Sequence, residues 1–264
     1  MNERYMPRKK PKHVVYCDES MMAYQSMRVI FRPGQCVVFD NRYRLAHLPL
    51  VNAQHPAVIS KVDDSDYRNG TYKKTRYAFI MPIDDKVFLG ADLIREIDQS
   101  MKSASFSKKI AWELCETRRT KLHATIVSGL SESDLERCSN EIQNLLDQIG
   151  PVSICLKGPL VGVMNTGRIY FPVYPQIMGG EDVFACMQKV IGAPLTRLYL
   201  VGYYHMRDEL DTSETSELAS LLGQWQDKIV LEMNIPYFEL HATNDDLALS
   251  AYTYKKISVK KNKE

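Results

Sequence analysis

The sequence predicts a mixed α/β (α+β) fold that carries an internal duplication. Three observations predict it. From residue 76 onward, apolar runs of strand length alternate with stretches of helical spacing. The tetrapeptide Leu-His-Ala-Thr occurs twice, at 122–125 and 240–243, with His241 lying 118 residues after His123. The order strand, helix, strand, helix recurs around each copy, which is the pattern of a repeated unit.

The elements run in order along the chain. Residues 1–12 are basic, contain Pro7 and Pro11, and read as a solvated tail. Residues 13–70 read as an irregular extension with one strand candidate at 35–39 and a turn-rich connector at 63–70. A strand is expected at 77–82, a helix over 91–101, and a helical stretch over 106–115 in which Trp112 packs. The first motif strand spans 121–128. Ser131 and Asp134 are placed like a capping box for a helix whose stripe is Leu135, Ile142, Leu145, Leu146 and Ile149. Gly150-Pro151 ends it. Next come strands at 152–156 and 168–173, a helix over 183–191, a strand at 197–205 and a helix over 214–233. The second motif strand spans 237–243, and a last strand is expected at 249–259.

Composition narrows the function class. With 264 residues and 45% hydrophobic content, the chain can bury a large core. A formal net charge of +2 gives no global polyanion-binding signature. No apolar run approaches the roughly 20 residues needed to span a bilayer, so no membrane partner is expected. The N-terminus has no apolar core of a secretory signal. The six cysteines are scattered without a Cys-x-x-Cys, which supports neither a disulfide framework nor a zinc site. A cytoplasmic location with reduced thiols is the expectation, and no metal or cofactor is assigned.

The motif carries the chemistry. Random placement of 6 His and 11 Thr would give well under one His-x-Thr triplet, yet two stand inside identical tetrapeptides. In a strand, residues i and i+2 share a face. Each copy therefore sets an acid/base group beside a hydroxyl donor: Lys121, His123, Thr125 and Val127 on one face, Glu239, His241, Thr243 and Asp245 on the other copy's face. An imidazole with a pKa of about 6.5 can accept or donate a proton near neutrality. Two of them suit displacement at phosphorus, one removing the proton of the attacking oxygen and one protonating the leaving oxygen. The hydroxyls of Thr125 and Thr243 are placed to hold phosphoryl oxygens.

With these two motifs and the strand at 77–81 ahead of the first, residues 75–258 resemble the 2H phosphoesterase superfamily. The resemblance implies two pseudo-symmetric lobes, about 75–157 and 158–258. Each would be an antiparallel-rich sheet with flanking helices, with exchange of strands between lobes allowed and the active-site groove between them. It implies a metal-independent phosphodiesterase that cleaves a cyclic phosphate or a 2′ or 3′ phosphodiester of a nucleotide or RNA end. His123 and His241 would be the catalytic pair, and Thr125 and Thr243 the phosphate-binding hydroxyls. The chain departs from the pattern at Asn244, where an apolar residue is usual, and Asp245 and Asp246 would add negative charge if they faced the site. Residues 1–70 have no counterpart in the smallest members and are a candidate cap; 259–264 form a basic tail. The alternative readings are a nucleotide- or RNA-binding module without catalysis and, ranked behind it, a metal hydrolase that uses both histidines with Asp245 or Asp246.

Other candidates rest on residue type alone. Tyr203 with His205 and Arg207, and Tyr252 with Tyr254, could stack a base. Arg118 and Arg119 could steer an anion, and Gly179-Gly180 precedes a helix where an anion could bind. His13, His47 and His55 lie in the extension and carry no assigned role.

Overall fold

The computed structural model describes residues 14–63 and 65–260; the basic stretch 1–12 and most of the tail at 259–264 lie outside them. Among its described residues the extension holds three short α-helices, α1 (Tyr24–Met27), α2 (Asn41–Ala46) and α3 (Leu48–Val51), besides one 3₁₀ turn at Glu19–Met21. Asp40 starts α2: its carboxylate accepts the Arg42 and Tyr43 backbone N–H groups, which have no partner inside the first turn. The strand expected at 35–39 does not form, and Val37 makes one isolated bridge to Leu210. At Asn69-Gly70, φ of 49° and 79° gives the tight hairpin turn that joins β1 (Tyr67–Arg68) to β2 (Thr71–Pro82).

Along the rest of the chain run α4 (Asp85–Gly90), α5 (Asp92–Ser103), α6 (Trp112–Arg118), β3 (His123–Leu130), α7 (Leu135–Ile149), β4 (Val152–Lys157), β5 (Leu160–Val161) and β6 (Arg168–Pro175). The hairpin β7 (Ile177–Met178) and β8 (Glu181–Asp182), α8 (Val183–Val190), β9 (Leu200–His205), α9 (Thr212–Trp225), β10 (Ile229–Ile235), β11 (Tyr237–Asp245) and β12 (Tyr252–Ser258) complete it. A large curled sheet, antiparallel at every pairing, has the strand order β10-β4-β6-β9-β3-β2-β11-β12. Hence the two motif strands, β3 and β11, flank the single strand β2 and run parallel to each other.

Four expectations are corrected. The helix expected over 214–233 stops at Trp225, and Ile229–Ile235 is a strand because its alternating residues find β4 as a partner. The helix expected over 106–115 starts only at Trp112, since Ile110 bridges Met206 and the Ala111 N–H donates to the His205 carbonyl at 2.8 Å. Ser131 does not cap: its hydroxyl donates to the Asp134 carboxylate at 2.6 Å, and one 3₁₀ turn precedes α7. The last strand begins at Tyr252, because residues 245–250 close a turn held by Asp245.

The core lies between the sheet and its helices. Phe79 of β2, Phe171 of β6, Phe184 of α8 and Phe238 of β11 are fully buried, and Phe238 packs edge-on to Phe184 and tilted to Phe79. Truncating one such ring costs about 3–5 kcal/mol, because transfer and cavity costs add. Among the described residues no helix is long and apolar enough to cross a membrane.

Candidate active site

Two bulges in β3 decide which side chains reach the site. Thr125 faces Ile80 and Val127 faces Phe79, so Ile126 is an extra residue; Ser128 faces Ala78 and Leu130 faces Tyr77, so Gly129, at φ 73°, is a second. The alternation expected from sequence is therefore broken after Thr125. Val127 does not share the histidine's face: both Ile126 and Val127 join the core, and Ser128 returns to the side of His123 and Thr125.

A cavity of about 840 Å³ opens on this face and is lined by all four motif side chains, His123, Thr125, His241 and Thr243. The small side chain of Ala78 and that of Ile80, on the strand between the motifs, line it too. Across that strand the imidazoles approach to 5.1 Å between ring centroids, tilted by 42°.

The two rings differ in their surroundings. His123 Nδ1 lies 2.8 Å from the Lys121 carbonyl, which can only accept, so Nδ1 carries the proton and the lone pair of the neutral ring is on Nε2. Burial, the neighbouring His241, and the cations Arg118 and Arg168 push its pKa down to about 3, against the opposing pull of that carbonyl. His241 is buried, and its Nε2 has no hydrogen-bond partner among the described residues. Burial and then Lys121 lower its pKa, while Asp245 works to raise it. Both rings are thus neutral at pH 7 in the free protein.

The threonines also differ. The Thr243 hydroxyl donates to the Asp245 carbonyl at 3.0 Å, and Asp245 itself is occupied: its carboxylate accepts the N–H groups of Leu249 and Ser250, both at 2.8 Å, and the Ser250 hydroxyl at 2.6 Å. Asp246 accepts the Tyr67 hydroxyl at 2.6 Å. The two carboxylates beyond the second motif are therefore tied into the turn and into β1.

On the far side of β3 the cavity wall is cationic. Gly202 of β9 has no side chain because the Arg168 guanidinium lies over it; a Cβ there would stand 2.0 Å from Arg168 Nε. Arg168 Nη1 donates to His47 Nε2 at 3.3 Å, and the His47 ring stacks on Tyr43 at 5.4 Å. Arg118 lies beneath, fully buried, donating to the carbonyls of Leu247 at 2.6 Å and Gly202 at 2.9 Å; burial and Arg168 push its pKa down to about 9. On the opposite side Arg76 lies 3.7 Å from the centre of the Tyr72 ring, donates to the Tyr67 hydroxyl at 2.9 Å, and pairs with Asp66 at 2.7 Å.

The remaining sequence candidates fall elsewhere. Tyr203 is buried against Phe88, at 5.1 Å, and Tyr204, and does not line the cavity. Tyr252 sits opposite Ala242, on the face away from His241, and is 54% exposed. Arg119 pairs with Asp85 at 2.9 Å and Arg207 with Glu113. Gly179 and Gly180, at φ 60° and 88°, form the β7–β8 turn. Sequence reasoning missed Arg168, His47, Arg42, Arg76, Tyr67 and Tyr72 as cavity residues. Tyr72 and Arg76 stand on the strand that passes between the motifs, but ahead of the apolar run at 77–82 by which the sequence marks it. Comparison of the sequence with protein-family models and with curated proteins finds no match.

Proposed function

We propose that the protein is a two-histidine phosphodiesterase of the 2H phosphoesterase kind, acting without a metal on a cyclic phosphate or a 2′ or 3′ phosphodiester of a nucleotide or RNA end. The observation that carries this reading is the pair of imidazoles 5.1 Å apart in one cavity, each with an Nε2 that no group of the described residues occupies. A phosphate held between them has a base on one side and an acid on the other, the arrangement that in-line displacement requires.

The surroundings favour an assignment of roles. His123 presents a lone pair at Nε2 and is the base, taking the proton of the attacking water or ribose hydroxyl. His241, where Asp245 opposes the loss of charge, is protonated first and is the acid, giving its proton to the leaving oxygen. After the step His123 is an imidazolium and His241 is neutral. The free protein holds both rings neutral, so the required proton is taken up by the pair when the phosphate's negative charge arrives beside them. Thr125, free of a protein hydrogen-bond partner among the described residues, donates to a phosphoryl oxygen. We also read the sheet as two five-stranded halves meeting where β3 and β9 share the single pair Ala124–Val201, with β11 and β12 exchanged into the half that holds β2 and β4 into the half that holds β6. Hydrogen exchange reporting one uniform protection unit across that seam would remove the two-lobe part.

Purified protein, treated with EDTA, is incubated with nucleoside 2′,3′-cyclic phosphates, 2′–5′ and 3′–5′ dinucleotides and cyclic dinucleotides. Turnover of at least one, lost in His123→Ala and His241→Ala, is expected. No turnover of any, or turnover unchanged in both variants, sinks the proposal. A second reading, binding without cleavage, draws support from the Thr243 hydroxyl, which is already engaged by Asp245. Tight calorimetric binding with intact ligand recovered afterwards would favour it.

A further inference from the structure

We infer that Arg168, His47 and Arg42 form a second anion subsite in the cavity, so that the ligand carries a second phosphate beside the one that sits between the histidines. The inference deepens the phosphodiesterase reading and rests on it for the place of the first phosphate.

Charge is the first argument. Of the three arginines that line the cavity, Arg76 is neutralised by Asp66, whereas Arg42 and Arg168 have no carboxylate partner among the described residues. Arg168 instead faces His47, and burial together with Arg168 and Arg118 holds the His47 pKa well below its usual range. The wall is therefore positive with no carboxylate paired to it, while the two carboxylates that line the same cavity, Asp245 and Asp246, are held by the turn after the second motif and by Tyr67.

Unused hydrogen-bonding groups are the second. Arg168 Nε and His47 Nδ1 are buried and have no hydrogen-bond partner among the described residues. A guanidinium can only donate, so His47 Nε2 accepts from it and His47 Nδ1 carries the proton. Both orphan atoms are thus donors, and His47 is 2% exposed. Buried donors are rarely left unmade, because each costs about 1–3 kcal/mol. A phosphate supplies several acceptor oxygens for such donors.

Position separates this subsite from the reacting one. Ala124 pairs with Val201, so the antiparallel register brings His123 alongside Gly202, the residue over which the Arg168 guanidinium lies. Neighbouring strands stand roughly 4.8 Å apart. A phosphate between the two imidazoles lies over β2, on one side of β3. Arg168 lies on the other side. One phosphate does not straddle His123, whereas two phosphates linked through a sugar do.

The test compares binding of a nucleoside 3′,5′-bisphosphate with that of the corresponding 3′-monophosphate by calorimetry, which needs no turnover. Wild-type protein is expected to bind the bisphosphate at least tenfold more tightly. Arg168→Gln should abolish this preference, and Arg42→Gln, at an exposed position that cannot disturb the core, should reduce it about threefold. Arg168→Lys, which keeps the charge, should restore part of it. Equal affinity of wild-type protein for the two ligands, or an equal loss for both in Arg168→Gln, overturns the subsite. Inorganic phosphate added to the monophosphate is the control for a free anion: if it reproduces bisphosphate affinity, the site takes a separate anion and the inference fails. Absence of turnover in the wild-type protein, with its bisphosphate preference intact, would reject the phosphodiesterase reading alone.

Discussion

The two motif strands contain the same four residues and lie on either side of one strand, yet their histidines inhabit different electrostatic surroundings. On β3, the ring of His123 is fixed through Nδ1 by the Lys121 carbonyl and shares its neighbourhood with Arg118 and Arg168. On β11, His241 has the Asp245 carboxylate for a neighbour, and Thr243 is hydrogen-bonded into the turn at the strand's end. Identity of sequence therefore does not make the copies equivalent. The residues C-terminal to each tetrapeptide set them apart: Ile126 begins a bulge that ends in the cavity at Ser128, whereas Asn244-Asp245 begins a turn that consumes the donors and acceptors around it.

The largest effects should come from breaking this asymmetry at the histidines. His123→Ala and His241→Ala are each expected to lower kcat by about 10²–10⁴-fold, with the double variant little worse than the worse single one because the two act on one step. Leaving-group dependence separates them. With a p-nitrophenyl phosphodiester the leaving oxygen needs no proton, so the loss in His241→Ala should shrink while the loss in His123→Ala stays. The opposite pattern reverses the acid and base assignments.

The threonines come next. Thr125→Val should cost about 10²-fold in kcat, the scale of losing one preorganised donor to a developing charge. Thr243→Val should cost less, because the hydroxyl it removes is already given to the Asp245 carbonyl, and should show instead as a loss of about 1 kcal/mol in denaturant unfolding. Equal kcat losses in the two variants would mean that Thr243 leaves Asp245 when substrate binds. Asp245→Asn tests the same turn from the other side. It leaves one oxygen to accept where the carboxylate accepts three donors, so a destabilisation of about 1–3 kcal/mol is expected.

Why the first half of the site could be read in the sequence and the second could not is a matter of how far apart its parts lie. The motif strands are local: alternation and identity mark them, and both form close to where the pattern places them. The register shifts in β3 are not local, since they depend on how Phe79 and Ala78 of the neighbouring strand pair, and so Val127 and Ser128 exchange places. The strand Ile229–Ile235 comes after a helix with no Gly or Pro between them, and its apolar residues suit either element until β4 supplies a partner. The cationic wall is the extreme case. His47 and Arg168 are 121 residues apart, and nothing near either signals the other; the sheet order β6-β9-β3 and the helix begun by Asp40 bring them together.

The smallest expected effect is in pH dependence, and it tests the comparison most directly. The proposed mechanism needs one proton on the pair. In the free protein both histidines titrate below 6.5, His123 at about 3, so the singly protonated form is lost as pH rises through the higher of the two values. The alkaline limb of kcat/KM, which reports the free protein, should therefore lie below pH 6.5 and fall through neutrality. In the complex a phosphate anion stands beside both rings and favours their charged forms, which raises the pKa and moves the alkaline limb of kcat to higher pH. The two profiles should be displaced, with the kcat limb on the alkaline side. Coincident limbs would mean that the substrate does not alter the protonation of the pair, and that the lone pair on His123 and the proton on His241 are not set by the surroundings described for them.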